Sequence, residues 1–449
     1  MVVAVRGFRI FVFLFSLLIL GFYLFSKKHD HSDALLSLVN SSETSLPLAW
    51  NDNTIPETKA LLHKLPGLTV FENLYAYNGT IYIVTSEPDS IPEKRMIISN
   101  GLALEFKQEN EPTDQTLQII TPAEARLLFG PALAPNFLAG VSFMQTDAPQ
   151  FLGHMYHFVV EIFALGHWRH FTSPDLDTTF GSTRPYPRRY IFPYASHEQW
   201  QDHAGMNLWT IRAALGPIAL EFKDEWKTWM DSEQLLVMEH VVLGDRAAWH
   251  RGSFWKSPKE EFPLVVRDRW WDPIRNSVTA FVEPADVQAN ITQKPLITYV
   301  SRQNSRRRLK TKDHNTLVSE LELLCQIIEC ELQVATMEEL DTTEQILLLS
   351  KTTVLVGVHG NGLLGQLWME PTPRSTVIEI FHPDGFTYDY EYTARSLGHK
   401  YYGIWKDKYF TAPDLPPQNV VDGFHGASIP VNGTSVASLI HQRLTMKSL

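Results

Sequence analysis

Residues 354–362 carry the clearest chemical signal in the chain, because they read as a buried strand followed by a turn that contains glycine. Residues 354–358 are an unbroken β-branched and apolar run, typical of a parallel strand. Residues 359–362, His-Gly-Asn-Gly, contain two glycines that allow a sharp turn. If a helix begins at the second glycine, its free N–H groups and positive dipole end can bind a phosphate. A plain tight turn is the alternative, because neither GxGxxG nor a P-loop pattern is present.

Two more groups would lie at the same edge of the predicted sheet. Glu379 falls at the end of the next predicted strand, 376–380, and ligands of doubly wound sheets bind beyond the carboxyl ends of strands, where a carboxylate can accept both hydroxyls of a ribose. The basic run 301–308, which reads SRQNSRRR, begins where the predicted strand 296–300 ends. Its arginines could bind a diphosphate bidentately. The alternative is a solvated basic loop.

A second pattern, GHMYHFVVE, places His154, His157 and Glu161 on one face of a predicted helix over residues 155–168. Among such large apolar neighbours these polar side chains would be buried, and their burial requires a structural or functional reason. A histidine oriented by a carboxylate can act as a general base and take a proton from a hydroxyl group. A metal site is less favoured, because the sequence has no HExxH motif and no obvious further ligand. The third interpretation is that these histidines are core residues whose hydrogen bonds are satisfied and which have no catalytic role.

Two other carboxylate positions are weaker candidates. Asp245 follows the predicted strand 235–243, so a strand end would present it to a cleft, and it is our second candidate for the base. The DxD of Asp175 and Asp177 is a pattern that can hold a divalent cation bridging a diphosphate. Here it follows Ser-Pro in a predicted turn, where helix capping explains it more simply. We therefore predict no metal ligands.

The elements that must position these residues follow a regular rhythm after residue 285. Strands alternate with helices there, which predicts a parallel sheet covered on both faces. In the first half, Asn78-Gly79 is a two-residue hairpin signal. We predict two α/β domains with the site in the cleft between them. The predicted strands are 74–77, 80–85, 235–243, 262–266, 296–300, 331–335, 354–358, 376–380 and 401–404, and the predicted helices are 155–168, 315–328, 343–350 and 389–397.

Composition sets broad limits on the function. A chain of 449 residues with 44% hydrophobic and 20% charged residues can bury a sizeable core and form two or three domains. The formal net charge of -11 argues against a nucleic-acid partner. Cys325 and Cys330 are too few for a disulfide scaffold, and both a local bridge and two buried thiols remain open.

The N-terminus carries a membrane signal, because residues 10–25 are an uncharged apolar run with basic residues on both sides. As a helix this run spans about 24 Å, less than the ~30 Å hydrocarbon core, so flanking side chains would have to snorkel. No clear small-x-small site follows, so we favour a retained signal anchor over a cleaved signal peptide. Sequons at Asn40, Asn78, Asn290 and Asn432 all follow the run, which favours a lumenal body.

Three motifs in this order, GHMYHFVVE, YVSRQNSRRRL and VGVHGNGLLGQLWM with STVIEI after it, resemble glycosyltransferase family 61 over about residues 151–402. The resemblance implies a GT-B fold, in which two Rossmann-like domains face each other across a cleft, and an inverting mechanism. It also implies a UDP-sugar donor, no tightly bound cofactor, and transfer of xylose, arabinose or N-acetylglucosamine to a glycan or glycoprotein acceptor. The implied donor contacts are Arg302, Arg306, His359, Gly360, Gly362 and Glu379, and the implied acceptor-side pair is His157 with Glu161.

Asn361 departs from the family pattern, because a small residue, commonly alanine, is usual at this position. Asparagine tolerates a left-handed backbone, so the turn is preserved. Its side chain would lie close to the phosphates. We therefore include Asn361 among the predicted donor-site residues.

We expect a glycosyltransferase in the Golgi or ER membrane, similar to fungal-type members of the family, with a single-pass type II anchor and a lumenal catalytic body. The alternatives are a catalytically inactive lumenal protein of the same fold that binds glycan or nucleotide, and a soluble secreted enzyme of the same chemistry. The expected segments are a cytosolic tail (1–9), the anchor (10–25), a stem (26–65), an acceptor-side α/β domain (66–284), a nucleotide-sugar-binding Rossmann-like domain (285–410) and a C-terminal tail and helix returning toward the acceptor-side domain (411–449).

Overall fold

The computed structural model describes residues 55–103, 110–130, 135–252, 264–282 and 294–446. The residues described from Glu57 onward belong to one compact unit, Glu57–Leu449, and the architecture below is that of this unit. The predicted cytosolic tail, the predicted anchor and most of the predicted stem lie outside the described residues. Within the described ranges, no helix is both long and apolar enough to cross a membrane.

The first half of this unit forms an eight-stranded mixed sheet. Its strands are β1 (Lys59–Leu65), β2 (Leu68–Tyr77), β3 (Thr80–Val84), β4 (Leu117–Ile120), β5 (Asn136–Gln145), β6 (Arg189–Ile191), β7 (Ala219–Glu221) and β8 (Leu236–Gly244). Their order is β4-β3-β2-β8-β5-β6-β7, and β1 pairs with β2 beside this path. Strand β2 is antiparallel to β1, β3 and β8, whereas β5 is parallel to β6 and β8.

The β2–β3 hairpin confirms the prediction made from Asn78-Gly79. Asn78 has φ 46° and Gly79 has φ 82°, and a two-residue hairpin turn of this type needs positive φ at both positions. Tyr77 and Thr80 pair directly on either side of the turn. The sequon at Asn78 is therefore at an exposed hairpin tip.

One predicted boundary and one predicted strand in the first half differ from the structure. Strand β1 begins at Lys59, inside the residues predicted as stem, because Leu62 and Leu65 pack into the core. The predicted strand 262–266 is wrong in its described part, since residues 264–266 form no strand.

The predicted helix over residues 155–168 is confirmed as Tyr156–Trp168, which we call the His157 helix. Its hydrogen bonding is that of a π-helix, a rare form that occurs often at functional sites. Every residue of the helix is buried except His157. The other helices of the first half are Pro88–Ser90, Lys94–Ile97, Pro122–Phe129, Pro149–Phe151, Arg169–Phe171, Pro174–Leu176, Asp177–Phe180, Met206–Leu215, Lys223–Asp231, Arg246–Trp249 and Asp272–Val282.

The second half forms a six-stranded sheet of the predicted parallel kind. Its strands are β9 (Leu296–Val300), β10 (Glu331–Ala335), β11 (Thr352–Val358), β12 (Thr376–Ile380), β13 (Lys400–Trp405) and β14 (Lys408–Phe410). Their order is β10-β9-β11-β12-β13-β14, and the pairs are parallel except for β13 with β14. Its helices are Thr311–Ile328, Met337–Glu339, Thr342–Ser350, Asn361–Leu367, Asp389–Leu397 and Gly433–Thr445.

Most predicted elements of this half are confirmed, three strands and one helix with the predicted bounds. The clearest difference follows the glycine turn, where Asn361–Leu367 is a 3₁₀ helix of seven residues and no α-helix forms. A short 3₁₀ helix has poorer hydrogen-bond geometry and a weaker dipole than the α-helix that we expected. Phosphate binding at this loop must therefore rest mainly on side chains.

The C-terminal helix Gly433–Thr445 packs against helix Thr311–Ile328, and its apolar residues join the core of the second sheet. Its main described partners thus belong to the second half. We had expected the C-terminal helix to return toward the first half, and the structure differs from that expectation. Apolar residues of this helix such as Val436 and Ile440 are fully buried there. Cys325 and Cys330 form a disulfide, which resolves the alternatives that the sequence left open.

A shared apolar core joins the two sheets within one compact unit. The rings of Trp271 and Trp368 lie 6.2 Å apart, and those of Tyr156 and Tyr390 lie 5.4 Å apart. The two halves therefore pack against each other through a shared apolar core, and they do not separate into the two compact domains that we predicted.

Candidate functional site

The loop of residues 359–362, which we call the HGNG loop, leaves strand β11 at the carboxyl edge of the second sheet. The backbone N–H of His359 donates to the carbonyl of Ile380 at 3.0 Å, so the loop starts in register with β12. Gly360 then has φ 137°, a conformation that favours glycine. This geometry turns the chain at the place that the sequence predicted.

Two arginines converge on this turn. Arg302 Nη1 donates to the His359 carbonyl at 3.3 Å, and Arg307 Nη1 donates to the same oxygen at 2.6 Å. The basic run 301–308, which we call the basic loop, therefore lies beside the HGNG loop as expected. Arg306, which we predicted as a donor contact, is exposed. Arg307 occupies the position beside the HGNG loop that we expected Arg306 to occupy.

The glycines of the HGNG loop are required by the close approach of its neighbours. A Cβ on Gly360 would lie 2.0 Å from Arg302 Nη1, and a Cβ on Gly362 would lie 2.6 Å from a methyl group of Val300. Real Cβ atoms do not approach other heavy atoms so closely. The loop can therefore hold the arginines against its backbone only because both positions lack a side chain.

Below the loop, His359 is hydrogen-bonded to a fully buried carboxyl group. His359 Nδ1 lies 2.5 Å from Glu379 Oε1, and the Tyr401 hydroxyl donates to Glu379 Oε2 at 2.6 Å. Glu379 has no exposed surface, so it offers no oxygen to a ligand. The direct ribose contact that we expected of Glu379 is thus replaced by a supporting role under His359.

Burial decides the charge of this pair. It raises the pKa of Glu379 well above the usual range, although Tyr401 and Arg307 lower it. Burial, together with the charge of Arg307, lowers the pKa of His359 to about 3. Both shifts favour uncharged forms, in which the Glu379 acid donates to Nδ1 and His359 carries its own hydrogen on Nε2. His359 then presents a neutral N–H donor.

Aromatic rings enclose His359 and link it to the rest of the site. The ring centroids of Phe424 and Tyr390 lie 4.9 and 5.5 Å from that of His359. The Tyr390 hydroxyl donates to Asn361 Oδ1 at 3.4 Å, so the Asn361 side chain is tethered inside the site. Arg307 also donates to His425, so the C-terminal segment helps to hold the basic loop.

The first half contributes a second histidine–carboxylate pair. His157 Nδ1 lies 2.5 Å from Glu161 Oε2 on the next turn of the His157 helix. The Glu161 side chain is 4% exposed, whereas that of His157 is 28% exposed. Arg246 Nε donates to the same Glu161 oxygen at 3.0 Å. A buried ion pair therefore orients a histidine that is open on one side.

A chain of ring contacts connects the two pairs across the two halves. Tyr156, next to His157, packs against Tyr390, which in turn packs against His359. Asp389 lies within electrostatic reach of both pairs, because its pKa is raised by burial, lowered by His359 and raised by Glu161. No pattern in the sequence marks Asp389 as a site residue.

Asp245, our second candidate for the base, is a structural residue. It is 1% exposed. Its carboxylate accepts hydrogen bonds from the Ser99 backbone, from the Thr146 hydroxyl and from the backbone of Ala248, where it caps the short helix Arg246–Trp249. Neither oxygen can reach a substrate, so the prediction of a catalytic role for Asp245 is wrong.

The DxD carboxylates also have structural partners. Asp175 pairs with Lys64 at 2.6 Å, and Asp177 pairs with Arg184 at 2.8 Å and with Arg267. In the part of the chain that the structure describes, no cluster of three or more His, Cys, Asp or Glu side chains could hold a metal ion.

A cavity of about 270 Å³ lies beside the loops. Its lining combines residues from the ends of three parallel strands with residues of the first half, and among them are Met155, Asp202, Arg302, Glu338, Asn361 and Gly362. A larger cavity of about 520 Å³ lies around residues 266–272 and 395–399, and none of the predicted site residues lines it. The smaller cavity is therefore the one that belongs to the candidate site.

The mixed α/β architecture with two multi-stranded sheets fits an α/β glycosyltransferase. Residues 155–378 match the family model described as Glycosyltransferase 61. The matched segment contains the His157 helix, the basic loop and the HGNG loop, and it supports both membership of glycosyltransferase family 61 and a glycosyltransferase activity. A search of curated proteins found no match to the chain.

Sequence reasoning missed three side chains that hold the site together, which are Arg307, Tyr401 and Arg246. Arg307 stands among three consecutive arginines, and only the path of the loop distinguishes them. Tyr401 reaches Glu379 across neighbouring strands, and Arg246 reaches Glu161 over 85 positions in sequence. No local pattern marks either contact.

Replacing Gly360 should weaken donor binding without unfolding the protein. In Gly360→Ala the new Cβ displaces Arg302, and loss of a charge-assisted contact to phosphate should raise the Kd for UDP by about 10- to 100-fold. Gly181→Ala is the matched control, because Gly181 also has positive φ (74°) but nothing lies within 4 Å of an added Cβ. Calorimetric titration with UDP measures both, and equal losses would contradict the placement of Arg302.

Replacing Glu379 should distinguish a protonated from an ionised carboxyl group. In Glu379→Gln the amide can donate to His359 Nδ1 and accept from Tyr401, so the Kd for UDP should stay within about threefold. Glu379→Ala removes both contacts and leaves a cavity, and it should weaken binding by about tenfold or more. A glutamine variant as defective as the alanine variant would show that the ionised form is required.

Proposed function

We propose that this protein is an inverting glycosyltransferase that moves a sugar from a UDP-sugar to a hydroxyl group of a glycan or glycoprotein. The observation that carries the proposal is that Arg302 and Arg307 both donate to the His359 carbonyl. Arg302 also lines a cavity that is completed by residues of the first half such as Met155 and Asp202. The family match supports the transferase class.

The donor diphosphate binds between the basic loop and the HGNG loop. Arg302 lines the cavity and can form paired hydrogen bonds with phosphate oxygens. The Nε2–H of His359 adds a neutral donor. These groups stabilise the charge that develops on the departing diphosphate, and they are fixed in place before the reaction starts.

The nucleoside occupies the cavity next to the diphosphate. Glu338 is exposed in the cavity wall, shortly after the carboxyl end of β10. A carboxylate at this position in a doubly wound sheet can accept the hydroxyls of a ribose. Glu338 thus takes the role that the sequence analysis assigned to Glu379.

His157 acts as the general base. Its Nδ1 donates to ionised Glu161, so the lone pair of Nε2 accepts the proton of the acceptor hydroxyl. The acceptor oxygen forms a bond to the anomeric carbon from the side opposite the diphosphate, which gives inversion. The bond from that carbon to the β-phosphate oxygen breaks, and its electron pair leaves with UDP.

The positive charges of Arg302 and Arg307 can neutralise the leaving group and the neutral His359 can donate a hydrogen bond to it, so we propose transfer without a metal ion. The ion pairs of Asp175 and Asp177 with basic side chains support this proposal. We also propose the GT-B arrangement, a donor sugar such as xylose or N-acetylglucosamine, and a type II membrane protein whose body lies in the Golgi or ER lumen. The anchor signal at residues 10–25 and the four sequons support this location.

A donor screen tests the proposed function. The full chain in detergent, with EDTA present throughout, is incubated with UDP-xylose, UDP-arabinose, UDP-N-acetylglucosamine and UDP-glucose. We expect one UDP-sugar to raise the melting temperature and to be hydrolysed slowly to UDP. Activity that is absent in EDTA and restored by Mn²⁺ would contradict metal independence and would direct attention back to Asp175 and Asp177.

His157→Ala should separate chemistry from binding. Loss of a general base should lower kcat by about 10²- to 10⁴-fold, while the Kd for UDP remains unchanged because His157 does not contact the basic loop. Transfer assays and calorimetry measure the two quantities. Loss of both together would make His157 part of the scaffold, and full activity in the variant would favour a different base. If the wild-type chain binds UDP but transfers no sugar, a catalytically inactive binding protein is the better description.

A further inference from the structure

The carboxylate of Glu161 receives two hydrogen bonds on one oxygen. His157 Nδ1 lies 2.5 Å from Oε2, and Arg246 Nε lies 3.0 Å from the same atom. The Glu161 side chain is 4% exposed, so water cannot substitute for either partner. The state of Glu161 therefore depends on Arg246 as well as on His157.

Arg246 is held rigidly in this position. Its backbone N–H donates to Asp147 Oδ2 at 2.8 Å, at the start of the short helix that Asp245 caps. Its guanidinium carbon lies 4.1 Å above the ring of Phe151. The Arg246 side chain is 8% exposed. An arginine fixed through its backbone, its planar face and its Nε has little freedom to leave Glu161.

The electrostatic balance at Glu161 shows what Arg246 does. Burial raises the pKa of Glu161, but Arg246 and His157 lower it more, so the folded-state pKa lies below the usual value. Glu161 therefore stays ionised and can only accept hydrogen bonds. His157 must then place its hydrogen on Nδ1, which leaves a lone pair on Nε2.

We propose that Arg246 is a positioning residue for glycosyl transfer, which keeps Glu161 ionised and thereby holds His157 in the tautomer whose Nε2 can accept a proton. The inference rests on the proposed function, because the proton comes from the acceptor hydroxyl. It assigns a role to a residue that touches neither substrate.

Other titratable groups face the same pair and define the background of any pH measurement. His154, on the same helix, lies 4.9 Å from His157 between ring centroids, and its pKa is lowered by burial. His250 is also close, with a pKa lowered to about 4 by burial and by Arg246. Asp389 contributes from the second half.

The experiment compares Arg246→Met and Arg246→Lys with the wild-type full chain. Methionine keeps much of the packing on Phe151 and removes the charge, whereas lysine keeps the charge. Arg189→Met is the matched control, because Arg189 is a half-buried arginine that pairs with Glu221 at 3.8 Å in the first sheet and does not line the site cavity. Melting temperature and the Kd for UDP establish that each variant is folded.

We expect Arg246→Met to lower kcat on the order of 10- to 100-fold, with the donor KM unchanged. Removing Arg246 removes a group that lowers the pKa of Glu161, so ionisation of Glu161 requires a higher pH. The acidic limb of the kcat profile should therefore move to higher pH in Arg246→Met and remain near the wild-type position in Arg246→Lys. Arg189→Met should leave kcat and the limb unchanged.

A double variant tests whether Arg246 acts through Glu161. Glu161→Gln removes the charge that Arg246 stabilises, so Arg246→Met should cost little further kcat in the Glu161→Gln background. Additive losses, or a loss of kcat without movement of the acidic limb, would overturn the inference. If Arg246→Met unfolds, Arg246→Lys decides the question. A shift of its acidic limb away from the wild-type position would also overturn the inference.

A readout that needs no turnover separates this inference from the proposed function. ¹⁵N NMR of histidine-labelled protein, with His157→Ala used for assignment, should show the His157 hydrogen on Nδ1 in the wild type and on Nε2 in Arg246→Met. If the wild type transfers no sugar but the His157 hydrogen still moves from Nδ1 in the wild type to Nε2 in Arg246→Met, the proposed function fails and the positioning role stands. If the wild type is active and the tautomer does not change, the positioning role fails alone.

Discussion

The buried hydrogen bond between Glu379 and His359 is the constraint on which the donor side of the site depends. Strands β11 and β12 pair in parallel with Gly357 opposite Glu379, so the carboxyl group lies directly beneath the HGNG loop. A buried polar group must be satisfied by neighbours, and His359 and Tyr401 satisfy both oxygens. The same contact fixes the His359 backbone, whose carbonyl anchors Arg302 and Arg307. One buried acid thus determines where the positive charge is placed.

The two histidine–carboxylate pairs have similar hydrogen bonds and different surroundings, and the surroundings decide their chemistry. Glu379 is closed off from solvent and bonded to a neutral hydroxyl, which favours the protonated acid and a histidine that donates. Glu161 is bonded to Arg246, which favours the carboxylate and a histidine that accepts. Placing acid and base functions in different local environments is a general way to run both at one pH. The rings of Tyr156 and Tyr390 pack against each other between the two pairs.

Much of the second sheet followed from the sequence, because buried parallel strands are short apolar runs that alternate regularly with helical segments. Strands 296–300, 331–335 and 376–380 have the predicted bounds for this reason. The basic loop and the HGNG loop meet at the carboxyl ends of β9 and β11, as the sequence indicated. The predictions for Glu379, Asp245 and Arg306 did not hold, since each concerned how deeply a charged side chain is buried or which way a loop residue faces.

The sequence by itself determined the local features, which are the alternating second half, the glycine turn after β11, the hairpin at Asn78 and the His157 helix. These depend on near neighbours in the chain, and propensity and periodicity report them directly. Only the tertiary structure decided that Arg307 reaches the turn, that Tyr401 and His359 enclose Glu379, and that Arg246 meets Glu161. Each of these contacts joins residues from different elements, and the protonation states follow from burial. Burial is a property of the assembled fold, so no stretch of sequence could specify it alone.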